Sequence, residues 1–316
     1  MSPKILVCDP IHEDGIASLK GAGFDVKVEA NLTPEQLLKA VPEFDALVVR
    51  GRTKVTAPVI RAATRLRAVA RSGVGLDNID LSAARERSIQ VISTPAAPTT
   101  SVAELSVGLM LSLLRRISFA DKAMKEGRWV KSELMGRELK GKTVGVVGAA
   151  GRIGLEVARI CKQGFLANVL GYDVIDFAEK ARNIGLVALG ELTELLSRSD
   201  IVTVHVPYLP TTHHLIDEKA IASMKKGAII INPSRGDIIN GQALLQALKT
   251  GQLSAAGLDV FHREPPADDW EKELTKLPNV VCTAHIGAQT TECQRLESSM
   301  VAEELIRALK GKSASD

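Results

Sequence analysis

The stretch Lys142–Gly154, KTVGVVGAAGRIG, decides how this chain is read. An apolar run, Val144 to Val147, breaks into glycines and then opens an amphipathic segment from Leu155 to Cys161. The pattern is strand, tight turn, helix. Glycine serves such a turn in three ways: it allows the sharp reversal, lets backbone approach a pyrophosphate, and permits close helix–strand packing. The pyrophosphate would rest on the exposed N–H groups at the positive end of the helix. A second apolar run, Ala167 to Tyr172, ends in Asp173. An acidic side chain there accepts hydrogen bonds from an adenosine ribose and repels a 2′-phosphate. A glycine fingerprint alone is weak, but strand, helix, second strand and terminal aspartate in register predict a dinucleotide-binding βαβ unit. The usual spacing is G-x-G-x-x-G, whereas here the glycines are Gly148, Gly151 and Gly154, with Ala149 and Ala150 between the first two. Either the turn is one residue longer, or Ala149 adopts the backbone angles required. Arg152 stands close to where an extra phosphate would go, so NAD is expected and NADP stays open.

The totals narrow the class. A chain of 316 residues suits two domains. Few aromatics and a net charge of +3 argue against a base-stacking platform or a basic nucleic-acid face. The four cysteines, Cys8, Cys161, Cys282 and Cys293, lack metal-type spacing and read as reduced core thiols of a cytoplasmic protein; no metal is expected. The N-terminus enters a strand almost at once and so does not resemble a signal peptide. The apolar helix Val102 to Leu114 is too short and interrupted to span a bilayer. Neither membrane nor nucleic acid is expected as a partner.

Strands alternate with helical segments from Lys4–Asp9 onward, which predicts parallel α/β architecture throughout. Two early strands end in arginine: Arg50, followed by Gly51-Arg52-Thr53-Lys54, and Arg71, followed by Ser72-Gly73-Val74-Gly75. Ligands of open parallel sheets bind beyond the carboxyl ends of the strands, so cations and a glycine turn there predict a small anionic ligand. The helix at Ser101–Leu114 reads as an inter-domain or subunit-contact element. The closing helix, roughly Thr290 to Leu309, is expected to pack back on the first domain.

Three later strand ends carry side chains of distinct chemistry: Arg235, Glu264 and His285. A guanidinium holds the carboxylate and carbonyl of a 2-keto acid at two points. A histidine gives or takes the proton when a hydroxyl becomes a carbonyl, and a carboxylate beside it favours the protonated ring. Hydride would move between the substrate carbon and a nicotinamide. His12, His213, His214 and His262 read as structural, and His205 as bordering the cofactor.

With these residues stand longer motifs: VVRGRTKVT (Val48–Thr56), ARSGVGLDNID (Ala70–Asp80), LMGRELKGKTVGVVG (Leu134–Gly148), SRGDIIN (Ser234–Asn240), LDVFHREPP (Leu258–Pro266) and TAHIGAQT (Thr283–Thr290). Over essentially its whole length the chain resembles the D-isomer-specific 2-hydroxyacid dehydrogenases, and within them the phosphoglycerate-oxidising branch. The resemblance implies two Rossmann-like domains, one flavodoxin-like and one NAD-binding, with the chain crossing between them twice. The substrate-binding domain would comprise residues 1–97 plus 288–316, and the NAD-binding domain residues 98–287. It implies Arg235 as the substrate-holding catalytic arginine, His285 as acid/base and Glu264 as its tuning partner. Around NAD it puts Val74, Gly148, Gly151, Arg152, Ile153, Gly154, Asp173, His205, Val206 and Pro207. Thr212, Pro233, Ser234, Asp259, Gly287 and Ala288 complete that set. Gly73 and Val74 would offer N–H groups to the substrate carboxylate, and Arg50 and Arg71, with Gly51 and Lys54, would hold a distal phosphate.

Some positions depart from the branch. Gly51 replaces a serine, Ser93-Thr94-Pro95-Ala96-Ala97-Pro98 lacks the usual asparagines, and Ala284 replaces the proline before His285. No regulatory domain is expected after residue 316, nor feedback through one. The leading expectation is NAD-dependent oxidation of 3-phospho-D-glycerate by a homodimer formed through the Val102–Leu114 region. The alternatives are a glyoxylate or hydroxypyruvate reductase, or an NAD(H)-sensing co-regulator that binds without turnover.

Overall fold

The computed structural model describes residues 2–310; Met1 and residues 311–316, the outer ends of the expected first domain, lie outside the described residues. The chain divides into two compact units, Met1–Pro98 with Ala288–Asp316, and Thr99–Gly287.

In the first unit the strands are β1 (Lys4–Val7), β2 (Asp25–Val28), β3 (Ala46–Val49), β4 (Ala68–Arg71) and β5 (Gln90–Ile92). They form one parallel sheet in the order β2-β1-β3-β4-β5, which is the flavodoxin-like order. The central strands are continuous apolar runs because helices cover both faces of a parallel sheet. Ile5 and Val7 face one helical layer while Leu6 and Leu47 face the other. The closing helix Thr291–Lys310 belongs to this unit and packs Val301, Ala302 and Leu305 against Ile5, Val7 and Ala70. Fully burying a side chain of that size stabilises the fold by roughly 1.5–3 kcal/mol.

The second unit contains β6 (Thr143–Val147), β7 (Asn168–Tyr172), β8 (Val187–Leu189), β9 (Ile201–Val204), β10 (Ala228–Asn232), β11 (Leu253–Leu258) and β12 (Val280–Cys282). Their order is β12-β11-β10-β9-β6-β7-β8, all parallel. The topological switch therefore falls between β6 and β9, where the dinucleotide fold binds its ligand. The helix Thr99–Arg115 buries Val102, Ala103, Val107, Leu109, Met110 and Leu114 within this unit, packing on the Arg152–Arg159 helix and the sheet. One face of that helix is thus buried inside its own unit. Large exposed apolar side chains follow it, at Ile117, Met124, Trp129 and Met135.

The thiols need a second correction. Cys8, Cys161 and Cys293 are buried, but Cys282, at the end of the β12 edge strand, is exposed. Burial pushes the Cys8 and Cys161 thiols up to about 12, and loss of water around Cys282 still raises it to about 11. Among the described residues, no helix is long and apolar enough to cross a membrane.

Candidate active site and cofactor site

The glycine turn is the longer one. Gly148 lies at φ +89°, in the left-handed region that glycine adopts freely, and its carbonyl accepts from Gly151 N–H at 3.2 Å. A Cβ on Gly148 would stand 2.6 Å from the His205 carbonyl oxygen, and one on Gly154 would stand 2.2 Å from that of Gly148. Ala149 fits because its methyl is fully buried in the core. Gly151 is the N-cap of the helix Arg152–Arg159 and supplies no side-chain cap, which leaves first-turn N–H groups for an anion. Arg152 is exposed and Ile153 half-buried at that end. Asp173, just past β7, accepts from Ala150 N–H at 2.9 Å and from Ile175 N–H at 3.1 Å, so it braces the turn from the next strand. A backbone cradle that a methyl group would fill, an uncapped helix start and an acid at the next strand end fit an adenine dinucleotide.

Across the switch point, His205 follows β9, and its Nε2 lies 2.8 Å from Thr203 Oγ1. Burial pulls this imidazole down to about 3, so it is a neutral ring. Val206 packs on the core, and a Gly148 Cβ would meet it at 3.1 Å. Thr212 accepts from Leu209 N–H at 2.8 Å and donates to the Pro207 carbonyl at 2.6 Å, tying the following loop together. Pro233 is buried in the turn after β10, while Ser234 Oγ donates to the Val204 carbonyl at 2.7 Å.

Arg235 follows Ser234 in a turn held by Asn232, whose amide donates to the Arg235 carbonyl at 2.8 Å. Beyond β11, Glu264 Oε2 meets His285 Nδ1 at 2.7 Å, and Glu264 Oε1 accepts from Phe261 N–H at 3.3 Å. Desolvation works to raise the Glu264 carboxyl. The hydrogen bond and charge of His285, the Phe261 N–H and the Arg235 charge outweigh it and hold the group below the ordinary value. Arg235 is thus close enough for its charge to act on the pair. His285 sits at φ +53°, a left-handed conformation that needs outside support.

Asp259 supplies that support. The resemblance puts it beside NAD, but its side chain is completely buried. Its carboxylate accepts from Thr283 Oγ1 at 2.6 Å, Ile286 N–H at 2.8 Å and Gly287 N–H at 2.9 Å, and its carbonyl takes His285 N–H at 2.7 Å. These bonds tie its carboxylate to the His285 loop. Of the histidines read as structural, His12 caps the Glu13–Gly21 helix and His213 stacks on His214. His262 pairs with Asp237 at 2.5 Å.

In the first unit, Asp9 organises the turn that carries Arg50. It accepts from Arg50 N–H at 2.6 Å and Thr53 Oγ1 at 2.8 Å, and pairs with Arg52 at 3.1 Å. Arg50 Nε is buried with no hydrogen-bond partner among the described residues, Gly51 and Lys54 are exposed, and Ala288 O accepts from Gln294 at 2.7 Å. Gly73 requires a correction. Its N–H donates to Thr94 Oγ1 at 2.8 Å and is therefore already used, while Val74 stays 42% exposed beside it. A Cβ on Gly73 would lie 2.0 Å from an Arg71 guanidinium nitrogen, so glycine there makes room for that side chain. Sequence reasoning missed Asp9, Thr94 and Asp259 as organisers; their only signal is a polar residue at or just beyond a strand end.

The family model for the D-isomer specific 2-hydroxyacid dehydrogenase, NAD binding domain, matches residues 107–287. This chain belongs to the D-isomer specific 2-hydroxyacid dehydrogenases. Its cofactor is accordingly NAD. The chain is 46% identical to D-3-phosphoglycerate dehydrogenase of Methanocaldococcus jannaschii, a match covering 98% of this chain but 58% of that protein. It is 41% identical to the hydroxypyruvate reductase of Thermotoga maritima, covering 97% of this chain and 98% of that protein. This dehydrogenase chain also superimposes with a TM-score of 0.83 and 30% identity on D-lactate dehydrogenase from Aquifex aeolicus complexed with NAD and lactic acid, covering 97% and 94% of the two chains.

Proposed function

We propose that this dehydrogenase oxidises 3-phospho-D-glycerate to 3-phosphohydroxypyruvate, with NAD as hydride acceptor. The observation that carries the redox chemistry is the hydrogen-bonded His285–Glu264 pair within reach of the Arg235 charge. With Nδ1 held by Glu264, the Nε2 of His285 is the nitrogen that takes the substrate hydroxyl proton. Arg235 binds the carboxylate and steadies the oxygen that becomes the carbonyl. NAD, when bound, accepts the hydride from C2, so one hydride and one proton leave the alcohol together.

The arginines Arg50 and Arg71 support a phosphorylated substrate, as does the name carried by the Methanocaldococcus relative. Formation of a serine precursor in the cytoplasm follows from that substrate as part of the proposal, as does a homodimer, for which Ile117, Met124, Trp129 and Met135 supply exposed apolar surface. A second reading, reduction of hydroxypyruvate or glyoxylate, is supported by the Thermotoga relative, which the chain matches nearly end to end. The third, an NAD(H) sensor, predicts binding without turnover.

The test is His285→Ala. It should lower turnover roughly 10²–10⁴-fold while leaving NADH binding intact, measured by nicotinamide fluorescence. Retained turnover would overturn the acid/base role, and absence of turnover in the unaltered protein would bring the sensing reading forward.

A further inference from the structure

Two of the loops that carry the reacting groups are joined away from the groups themselves. Arg235 is the N-cap of the short 3₁₀ turn Gly236–Ile238, and Asp237 stands at the middle of that turn. His262 stands just before Glu264 on the loop that leaves β11. Asp237 Oδ1 meets His262 Nδ1 at 2.5 Å. A carboxylate only accepts, so the contact needs a proton on Nδ1 of His262. The two backbones also touch: a Cβ on Gly236 would stand 2.1 Å from the Phe261 carbonyl carbon and 2.4 Å from His262 N. Asp237 is shared with a third loop, beyond β9, because its carbonyl accepts from His214 N–H at 2.8 Å.

The far side of the β11 loop is pinned by another acid. Glu271, fully buried on the helix Asp269–Lys276, accepts from Arg263 N–H at 3.0 Å, Ala267 N–H at 3.1 Å and Asp268 N–H at 3.3 Å. Glu264 therefore lies between two fastenings, His262 before it and Glu271 behind. Among the described residues, the backbone ladder between β10 and β11 ends with Asp259 N–H on the Asn232 carbonyl at 3.1 Å, short of both Arg235 and Glu264.

We propose that Asp237 and His262 are positioning residues for the dehydrogenation: their contact sets the placement of Arg235 against the pair of Glu264 and His285. The inference rests on the reading of those three as the reacting set. Arg235 and His285 work on one substrate centre, so their separation matters most in the transition state, where both contacts must be made at once. The side chains of His262 and Asp237 are 44% and 28% exposed, so water screens the pair and it adds little to the stability of the fold. Its loss should be read in kcat rather than in unfolding.

The test is a double-variant cycle on the full chain, followed as NADH formation with whichever of 3-phospho-D-glycerate and D-glycerate the unaltered protein oxidises. His262→Ala and Asp237→Ala should each lower kcat roughly tenfold, change KM less than about threefold, and leave NADH binding and the urea midpoint nearly unchanged. The double variant should be no slower than the slower single one, because each removes the same contact. His262→Asn, whose amide puts a donor near the place of Nδ1, should recover most of the lost kcat. Losses that multiply in the double variant, or single variants within about twofold of the unaltered kcat, would overturn the inference, as would a fall that His262→Asn leaves in place. Should an alanine variant fail to fold, His262→Phe and Asp237→Leu keep the bulk, remove the contact and give the same comparison. Turnover of neither acid by the unaltered protein, or full turnover by His285→Ala, would overturn the reacting set and the inference with it. A dead His285→Ala beside a fully active His262→Ala would overturn the inference alone.

Discussion

His285 Nδ1 stands 2.7 Å from Glu264 Oε2, across loops that leave two neighbouring strands of one sheet, β12 and β11. The contact fixes which imidazole nitrogen faces the substrate and keeps a carboxylate behind the ring. Glu264→Gln removes the charge and keeps the shape. We expect kcat to fall roughly 10–100-fold, with NADH affinity unchanged, read from steady-state kinetics and nicotinamide fluorescence.

The same pair has a defined acid limit. The Glu264 carboxyl is held below its ordinary value of 4.5, so the folded state binds that proton less readily than the unfolded chain. Its contribution to stability is therefore present above 4.5 and is lost as pH falls through the lowered folded value. Acid unfolding of Glu264→Gln should show a shallower dependence on pH in that window than the unaltered protein; identical curves would remove Glu264 from the account.

His205 should behave in the opposite manner to a catalytic histidine. Its pKa of about 3 makes it neutral wherever the enzyme works, and the stability tied to it is lost only as pH falls from 6.5 toward that value. Its ring signals in NMR should not move between pH about 6 and about 9. A titration in that range would mean that water reaches the ring.

Asp259 is the support on which His285 depends. Asp259→Ala leaves the donors at Thr283, Ile286 and Gly287 without their acceptor. A loss of roughly 3 kcal/mol or more in urea unfolding is expected, together with a fall in kcat, since Asp259 ties down the backbone of the two residues that follow His285.

The glycine turn offers a paired comparison. Gly154→Ala would drive a methyl into the Gly148 carbonyl, 2.2 Å away, whereas Gly164→Ala, after the same helix, meets nothing within 4 Å. The first should abolish NADH binding. The second should leave it unchanged, as equilibrium titration of each variant will show.

What was legible in the sequence follows a physical pattern. The βαβ turn and Asp173 are local: their meaning lies in spacing along the chain, and the longer turn is visible in Gly148, Gly151 and Gly154 before any coordinates. Arg235, Glu264 and His285 are remote from one another, yet each follows a strand of one sheet, and parallel topology gathers such ends. Residues that act through long-range hydrogen bonds were not legible. Thr94 takes the Gly73 N–H across the sheet, Asp259 turns inward to the His285 loop, and Glu297 reaches Ser72 from the far end of the chain. Each looks like an ordinary polar residue until folding brings its partner near. For the Thr99–Arg115 helix, apolar periodicity says that a face is buried but not against what.

The proposed preference for a phosphorylated D-2-hydroxy acid is tested most directly by NADH formation with the purified protein at alkaline pH, with 3-phospho-D-glycerate and D-glycerate compared as kcat/KM. The arginine pair predicts a preference for the phosphorylated acid of roughly 10²-fold or more. Equal or faster oxidation of D-glycerate would contradict the account.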